Sequence, residues 1–152
     1  MIEDEYWMRF AIMEAEKALD RGEVPIGAVI VKNNSIIGRG YNSRENLKDP
    51  TAHAEIIAIT SASQTLGSWK LEGTSIYITL EPCPMCAGAI LNARIDRVVF
   101  GAYDENYGAC GSTDNILDGR YLNHKPFVKG GVLENQCQAL LRTFFKNLRD
   151  RN

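Results

Sequence analysis

No apolar run in this 152-residue chain approaches the ~20 residues needed to cross a bilayer, so no membrane role is expected. Internal repeats, low-complexity tracts and Pro/Ser-rich linkers are also missing, which predicts a single domain over residues 1–152. The first residues, Met1-Ile2-Glu3-Asp4-Glu5, are acidic where a secretory signal is basic, and no apolar core follows them. A cytoplasmic protein is expected, in which the four cysteines stay reduced and closely spaced ones bind metal or do chemistry. A basic excess is lacking too: 17 Lys+Arg against 19 Asp+Glu leave a formal charge of −2, which speaks against indiscriminate polyanion binding. What remains, 45% hydrophobic and 24% charged residues, is the composition of a globular protein.

The charge is unevenly spread. Residues 1–119 hold 10 Lys+Arg and 17 Asp+Glu, whereas residues 120–152 hold 7 Lys+Arg against Glu134 and Asp150. An acidic body with a basic tail is a hint of contact with a polyanion, although solvated C-terminal helices can look the same.

Periodicity predicts an amphipathic helix over 4–21. Trp7, Phe10, Ala11, Ala15, Ala18 and Leu19 form its apolar stripe, and Glu14, Glu16, Lys17 and Arg21 its polar face. Strands at 27–31 and 35–41 flank Asn33-Asn34, a pair that tolerates the positive φ of a hairpin turn. A second helix is expected from about Pro50 to Leu66, capped by Asp49. A strand at 75–80, a helix at 83–93 opened by Pro84 and a strand at 97–102 follow. Residues 104–121 are glycine-rich loop with a helical turn near 114–117. A short strand at 127–129 and a basic helix at about 134–149 close the chain. This order predicts an α/β fold: a three-layer α-β-α arrangement with a mixed five-stranded sheet and right-handed crossovers.

The chemistry concentrates in His53-Ala54-Glu55 and Pro82-Cys83-Pro84-Met85-Cys86. Two cysteines three apart at the first turn of a helix project to one side, where the helix dipole favours thiolate. Two thiolates and one imidazole suit Zn²⁺. Cys110, Cys137 and His124 are available as a fourth ligand, but none lies in a metal spacing, so an open position for water is favoured. Glu55 is placed to reach that water if the metal sits over the end of the helix. A redox dithiol, or a structural zinc module that needs no Glu55, is the competing assignment.

The H-x-E…P-C-x-x-C pattern is the signature of zinc deaminases. Along nearly its whole length the chain resembles the bacterial tRNA-specific adenosine deaminase family. The matching stretches include Gly22-Glu-Val-Pro-Ile-Gly-Ala-Val, Asp49-Pro-Thr-Ala-His-Ala-Glu, Leu80-Glu-Pro-Cys-Pro-Met-Cys-Ala-Gly-Ala, Leu122-Asn-His and Phe144-Phe-Lys. The resemblance implies a cytidine deaminase-like fold, a homodimer and one zinc ion per chain on His53, Cys83 and Cys86. It implies hydrolysis of adenosine to inosine at the wobble position of a tRNA anticodon, tRNA-Arg being the expected substrate. Zinc-bound hydroxide would attack C6 and Glu55 would shuttle the proton. By the same resemblance Asn42 hydrogen-bonds the purine and Val24 packs on it. Asp104 and Asn123 line the loop-binding groove, and Phe144, Phe145, Lys146 and Arg149 contact RNA. Adjacent aromatics on an amphipathic helix are commonly core, so at least one of Phe144 and Phe145 is expected to be buried. The segment Asp104-Glu-Asn-Tyr-Gly108 departs from the family, being acidic where members commonly carry a basic residue. Cys110 and Cys137 are expected to pack as free thiols. The alternative is a zinc deaminase of a free base or nucleoside of the guanine or cytosine type.

Overall fold

The order of elements follows the hydrophobic pattern closely. The computed structural model describes residues 2–151. It contains helix α1 (Ile2–Asp20), strands β1 (Gly27–Lys32) and β2 (Ser35–Tyr41), helices α2 (Arg44–Leu47) and α3 (Ala54–Leu66), and strand β3 (Ser75–Leu80). Helix α4 (Pro84–Ala93), strands β4 (Arg97–Ala102) and β5 (Phe127–Lys129) and helix α5 (Glu134–Asp150) complete it. The five strands form one mixed sheet ordered β2-β1-β3-β4-β5. The β1 strand is antiparallel to β2 and β3, whereas β3–β4 and β4–β5 are parallel. Asn33 and Asn34 take φ of 50° and 64° in the hairpin between β1 and β2, the left-handed pair that matches the twist of the flanking strands.

Strand alternation separates two cores. Ala28, Ile30, Ile76, Ile78, Val98 and Phe100 face α3 and α4, while Val29, Val31, Tyr77 and Val99 face α1 and α5. Every second side chain of these buried strands points to the opposite layer, which makes the arrangement three-layered. The α3 helix lies against β2 because Gly38 and Gly40 present bare backbone to it. A Cβ on Gly40 would collide with the Ala54 carbonyl, and one on Gly38 with the Ala58 carbonyl. These two glycines set the depth at which the start of α3 rests on the sheet.

Several local expectations need correction. The α3 helix begins at Ala54 with His53 as its N-cap, so Pro50 is not its first residue and Asp49 does not cap it. Asp49 instead accepts hydrogen bonds from the Thr51 N–H and hydroxyl, which stabilise a local turn. The short α2 occupies part of what was expected to be loop. Residues 114–117 form no helical turn; they hold an isolated bridge between Cys110 and Asn115. Glu14 is buried rather than solvated, because Lys17 (2.8 Å) and Arg39 (3.7 Å) pair with its carboxylate.

Asp4 ties α1 to the sheet. Its carboxylate accepts hydrogen bonds from Tyr77 (3.0 Å), Arg97 (2.9 and 3.2 Å) and Lys129 (3.2 Å), groups on β3, β4 and β5. Burial alone pushes this carboxyl up, but the hydrogen bonds from Arg97, Lys129 and Tyr77 outweigh it and hold it at about 2. A depressed carboxyl stabilises the fold above its ordinary value of 3.8, and that contribution is lost as pH falls toward 2. Asp4→Asn is therefore expected to lower stability by about 2 kcal/mol at pH 7. The gap between wild type and variant should narrow below pH ~4. Urea melts at pH 7 and pH 3 measure both quantities, and an equal gap at the two pH values would contradict the assignment.

Candidate metal and active site

Two helix N-termini meet at the carboxyl end of β3. His53 is the N-cap of α3, with extended backbone (φ −74°, ψ 155°), and Cys83 is the N-cap of α4 (φ −75°, ψ 173°), with Pro84 at its first turn. Proline is preorganised for that position and its missing N–H removes no helical hydrogen bond. The cap and the residue three further on face the same side, which brings Cys86 beside Cys83.

The ligand atoms of His53, Cys83 and Cys86 all lie within 4.8 Å of one another, and among the described residues this is the group arranged in that way. His53 Nδ1 is 3.7 Å from Cys83 Sγ and 3.5 Å from Cys86 Sγ. Tetrahedral zinc, with bonds of ~2.3 Å to sulfur and ~2.05 Å to nitrogen, separates such donors by about 3.6 Å. The donor set and its spacing thus fit zinc. A hydrogen bond from Cys86 holds the Cys83 thiol well below its ordinary range, and burial and the hydrogen bond to His53 modify it further. The same shared hydrogen bond raises Cys86, and the hydrogen bond to Cys83 raises His53. Only Cys83 is thus predisposed to the thiolate form; Cys86 and His53 hold their protons more tightly, and a bound metal has to displace them. Cys110, Cys137 and His124 stand outside the cluster. Both cysteines are buried free thiols, and His124 is engaged by the Ile95 carbonyl at 2.7 Å.

Glu55, in the first turn of α3, is 4% exposed. Burial pushes its carboxyl up to about 7, and the Cys83 charge adds to this. It shares a cavity of about 390 Å³ with His53 and Cys83, bounded also by Ile26, Arg44, Leu80, Asp104 and Tyr107. A side pocket of about 90 Å³, lined by Val24, Asn42 and Arg44, adjoins it at His53. Asn42 is buried there; its Nδ2 donates to the Val24 carbonyl at 3.2 Å and its Oδ1 accepts from the Arg44 N–H at 3.4 Å. Outward, the cavity shares Arg44, Leu80, Asp104 and Tyr107 with a groove of about 840 Å³, which Phe145 also lines.

The structure thus brings His53, Cys83, Cys86, Glu55, Val24, Asn42, Asp104 and Phe145 to one connected depression. Asn123, Lys146 and Arg149 are exposed and line none of these cavities. The expected burial of one C-terminal phenylalanine is not found. Phe145 is 43% exposed and Phe144 half-buried, facing a cleft beside Leu19 at the end of α1. The α5 helix buries Cys137 near its start and leaves its later turns partly or fully exposed.

Besides Asp4 and Glu14, two more buried acids escaped the sequence-based expectations. Glu81, 2% exposed, accepts hydrogen bonds from the N–H groups of Asp104, Cys110 and Ser112, each at 3.1 Å, and from the Ser112 hydroxyl. It knots residues 104–112 onto the strand that leads to Cys83. Glu23, 1% exposed, accepts from the N–H groups of Glu45 (3.2 Å) and Asn46 (2.7 Å) and so anchors α2. Their one sequence signal is position, an acid immediately before a proline or a valine-proline at the edge of an apolar strand.

Residues 1–102 match the family model described as the cytidine and deoxycytidylate deaminase zinc-binding region. The tRNA-specific adenosine deaminase of Bacillus subtilis (strain 168) is 50% identical over 149 residues, spanning 98% of this chain and 92% of that relative. Among solved structures, one from studies of A-to-I editing by tRNA:A34 deaminases superposes with a TM-score of 0.86 at 43% identity, covering 90% of this chain and 99% of that one. A guanine deaminase from Bacillus subtilis superposes with a TM-score of 0.62 at 42% identity, covering 65% of this chain and 64% of that one. With half of its residues shared across almost the full length of such a relative, and the metal-type triad intact, the chain belongs to the tRNA-specific adenosine deaminase family, a branch of the zinc-binding cytidine and deoxycytidylate deaminases.

Proposed function

We infer that this protein hydrolyses adenosine to inosine at the wobble position of a tRNA anticodon, releasing ammonia. The observation that carries this is the buried Glu55 beside the His53–Cys83–Cys86 triad, at the bottom of a cavity that opens into a groove too large for one base. A free-base enzyme surrounds its ligand closely; a base delivered on a polynucleotide must be flipped out while its neighbours stay outside.

His53, Cys83 and Cys86 would hold zinc, which when bound supplies a polarised water of pKa near ~7. Glu55 takes one proton from the attacking water and delivers it to N1 of the ring as the oxygen bonds to C6. It then passes the second proton to the amino group, and cleavage of the C6–N6 bond leaves inosine and ammonia. Asn42 retains one Nδ2 hydrogen for the purine edge, and Val24 offers an apolar wall beside it. Asp104 and Phe145 border the path of the flanking nucleotides. Asn123, Phe144, Lys146 and Arg149 would meet the rest of the anticodon loop and its phosphates on the basic final segment.

Residues 1–152 form one catalytic domain in this account, acting in the cytoplasm, where tRNA is processed. No helix among the described residues is long and apolar enough to cross a membrane. A homodimer is supported by Ile56 and Ile57 on α3 and Met85 on α4, which are left partly uncovered.

The test compares an anticodon stem-loop of tRNA-Arg with free adenosine, guanine and cytidine, reading inosine and ammonia. The stem-loop is expected to be the preferred substrate, with affinity falling steeply as salt rises. Equal turnover of free adenosine, or preferred turnover of guanine, would overturn the assignment in favour of a free-base deaminase.

A further inference from the structure

The acidic segment between β4 and β5 has a role that charge does not suggest. Residues 104–112 contain no lysine or arginine, so this wall of the groove has no cation with which to hold a phosphate. It presents an aromatic ring instead. Tyr107 is 69% exposed and borders both the cavity that contains Glu55 and the larger outer groove.

Its backbone is firmly held. The Tyr107 N–H donates to Asp104 Oδ1 (3.1 Å) and the Gly108 N–H to the Asp104 carbonyl (2.9 Å). The Ala109 N–H donates to the Pro82 carbonyl (2.9 Å), one residue from Cys83, and Glu81 gathers the N–H groups on either side. A rigid backbone with an uncovered ring is the arrangement that accepts a stacking partner with little loss of freedom. Tyr103, the other aromatic of this wall, is less free, its ring set edge-on against Phe100 with centroids 5.1 Å apart.

We propose that Tyr107 is a stacking platform for a nucleobase adjacent to the flipped adenosine, so that this chain grips the loop here through a base rather than a phosphate. The proposal rests on the tRNA assignment above. Aromatic stacking tolerates any base and suits a rim that the reacting base passes on its way in.

Steady-state deamination of an anticodon stem-loop tests it, with the nucleotide on each side of the target replaced in turn by an abasic one. Tyr107→Ala should raise KM roughly tenfold to a hundredfold, with kcat little changed. Tyr107→Phe should restore wild-type KM, because the ring and not the hydroxyl does the stacking. One of the two abasic substrates should raise the wild-type KM by a similar factor yet add nothing to the Tyr107→Ala defect. Zinc content and melting temperature of Tyr107→Ala should match wild type, since the side chain is exposed. An unchanged KM, a defect shared by Tyr107→Phe, or additive effects with both abasic substrates would each overturn the proposal. A wild-type enzyme inactive on the intact stem-loop overturns the parent assignment itself, whereas an active one without coupling to Tyr107 overturns only this platform.

Discussion

Glu55→Gln is expected to cut turnover of an anticodon stem-loop by about 10²–10⁴-fold, the usual contribution of a positioned proton carrier. Zinc content and fold should survive. Glutamine has the same shape as the glutamate it replaces, and at 4% exposure Glu55 is a buried carboxyl whose ionisation burial already opposes. A neutral amide therefore fits that environment. What glutamine cannot do is accept a proton from water and release it twice in one turnover. The loss should fall on kcat with KM little changed, because binding of the base is assigned to Asn42 and Val24 instead. Undiminished ammonia release by this variant would remove Glu55 from the mechanism.

Cys86→Ala is expected to abolish both metal retention and activity. The triad is small, and its atoms are within 4.8 Å of one another; deleting one leaves two protein ligands, too few to keep zinc through dialysis. Metal analysis should fall from about one zinc per chain to a trace. The fold should persist at lowered stability, since the two cores on either side of the sheet are built without the triad. Chelation of wild-type protein should reproduce this state, and added zinc should reverse it in wild type alone. A wild-type protein that carries no zinc and forms a reversible Cys83–Cys86 disulfide would favour redox chemistry instead.

The parts of the site legible in the amino-acid order are those set by short-range geometry. Cys83 and Cys86 share a side because residues three apart do so at a helix start, and Pro84 marks that start. Asn33-Asn34 announces its hairpin because few residues take positive φ twice in succession. The β3 and β4 strands are read from their β-branched and aromatic residues, and both boundaries agree with the expectation. Where a boundary depends on contacts from afar the pattern misleads. Pro50 after Asp49 looks like a helix start, yet α3 begins four residues later, its first turn laid on the bare backbone of Gly40.

The sequence by itself determined the layered α/β order and, through local spacing, that Cys83 and Cys86 share a side and that Glu55 stands two residues from His53. Bringing His53 to the two cysteines took the meeting of two helix N-termini. Only the tertiary structure decided which acids are buried. Asp4, Glu14, Glu23 and Glu81 look like solvated surface in the chain, and each is withdrawn from water by donors that lie far away or on a neighbouring turn. It also decided where the basic tail goes: Phe145 faces the groove and Phe144 does not, while Lys146 and Arg149 stay outside the cavities. The physical reason is common to both. Spacing along one element fixes which side chains are neighbours on it, but desolvation depends on what other elements cover, and that is settled when the sheet and its two layers close.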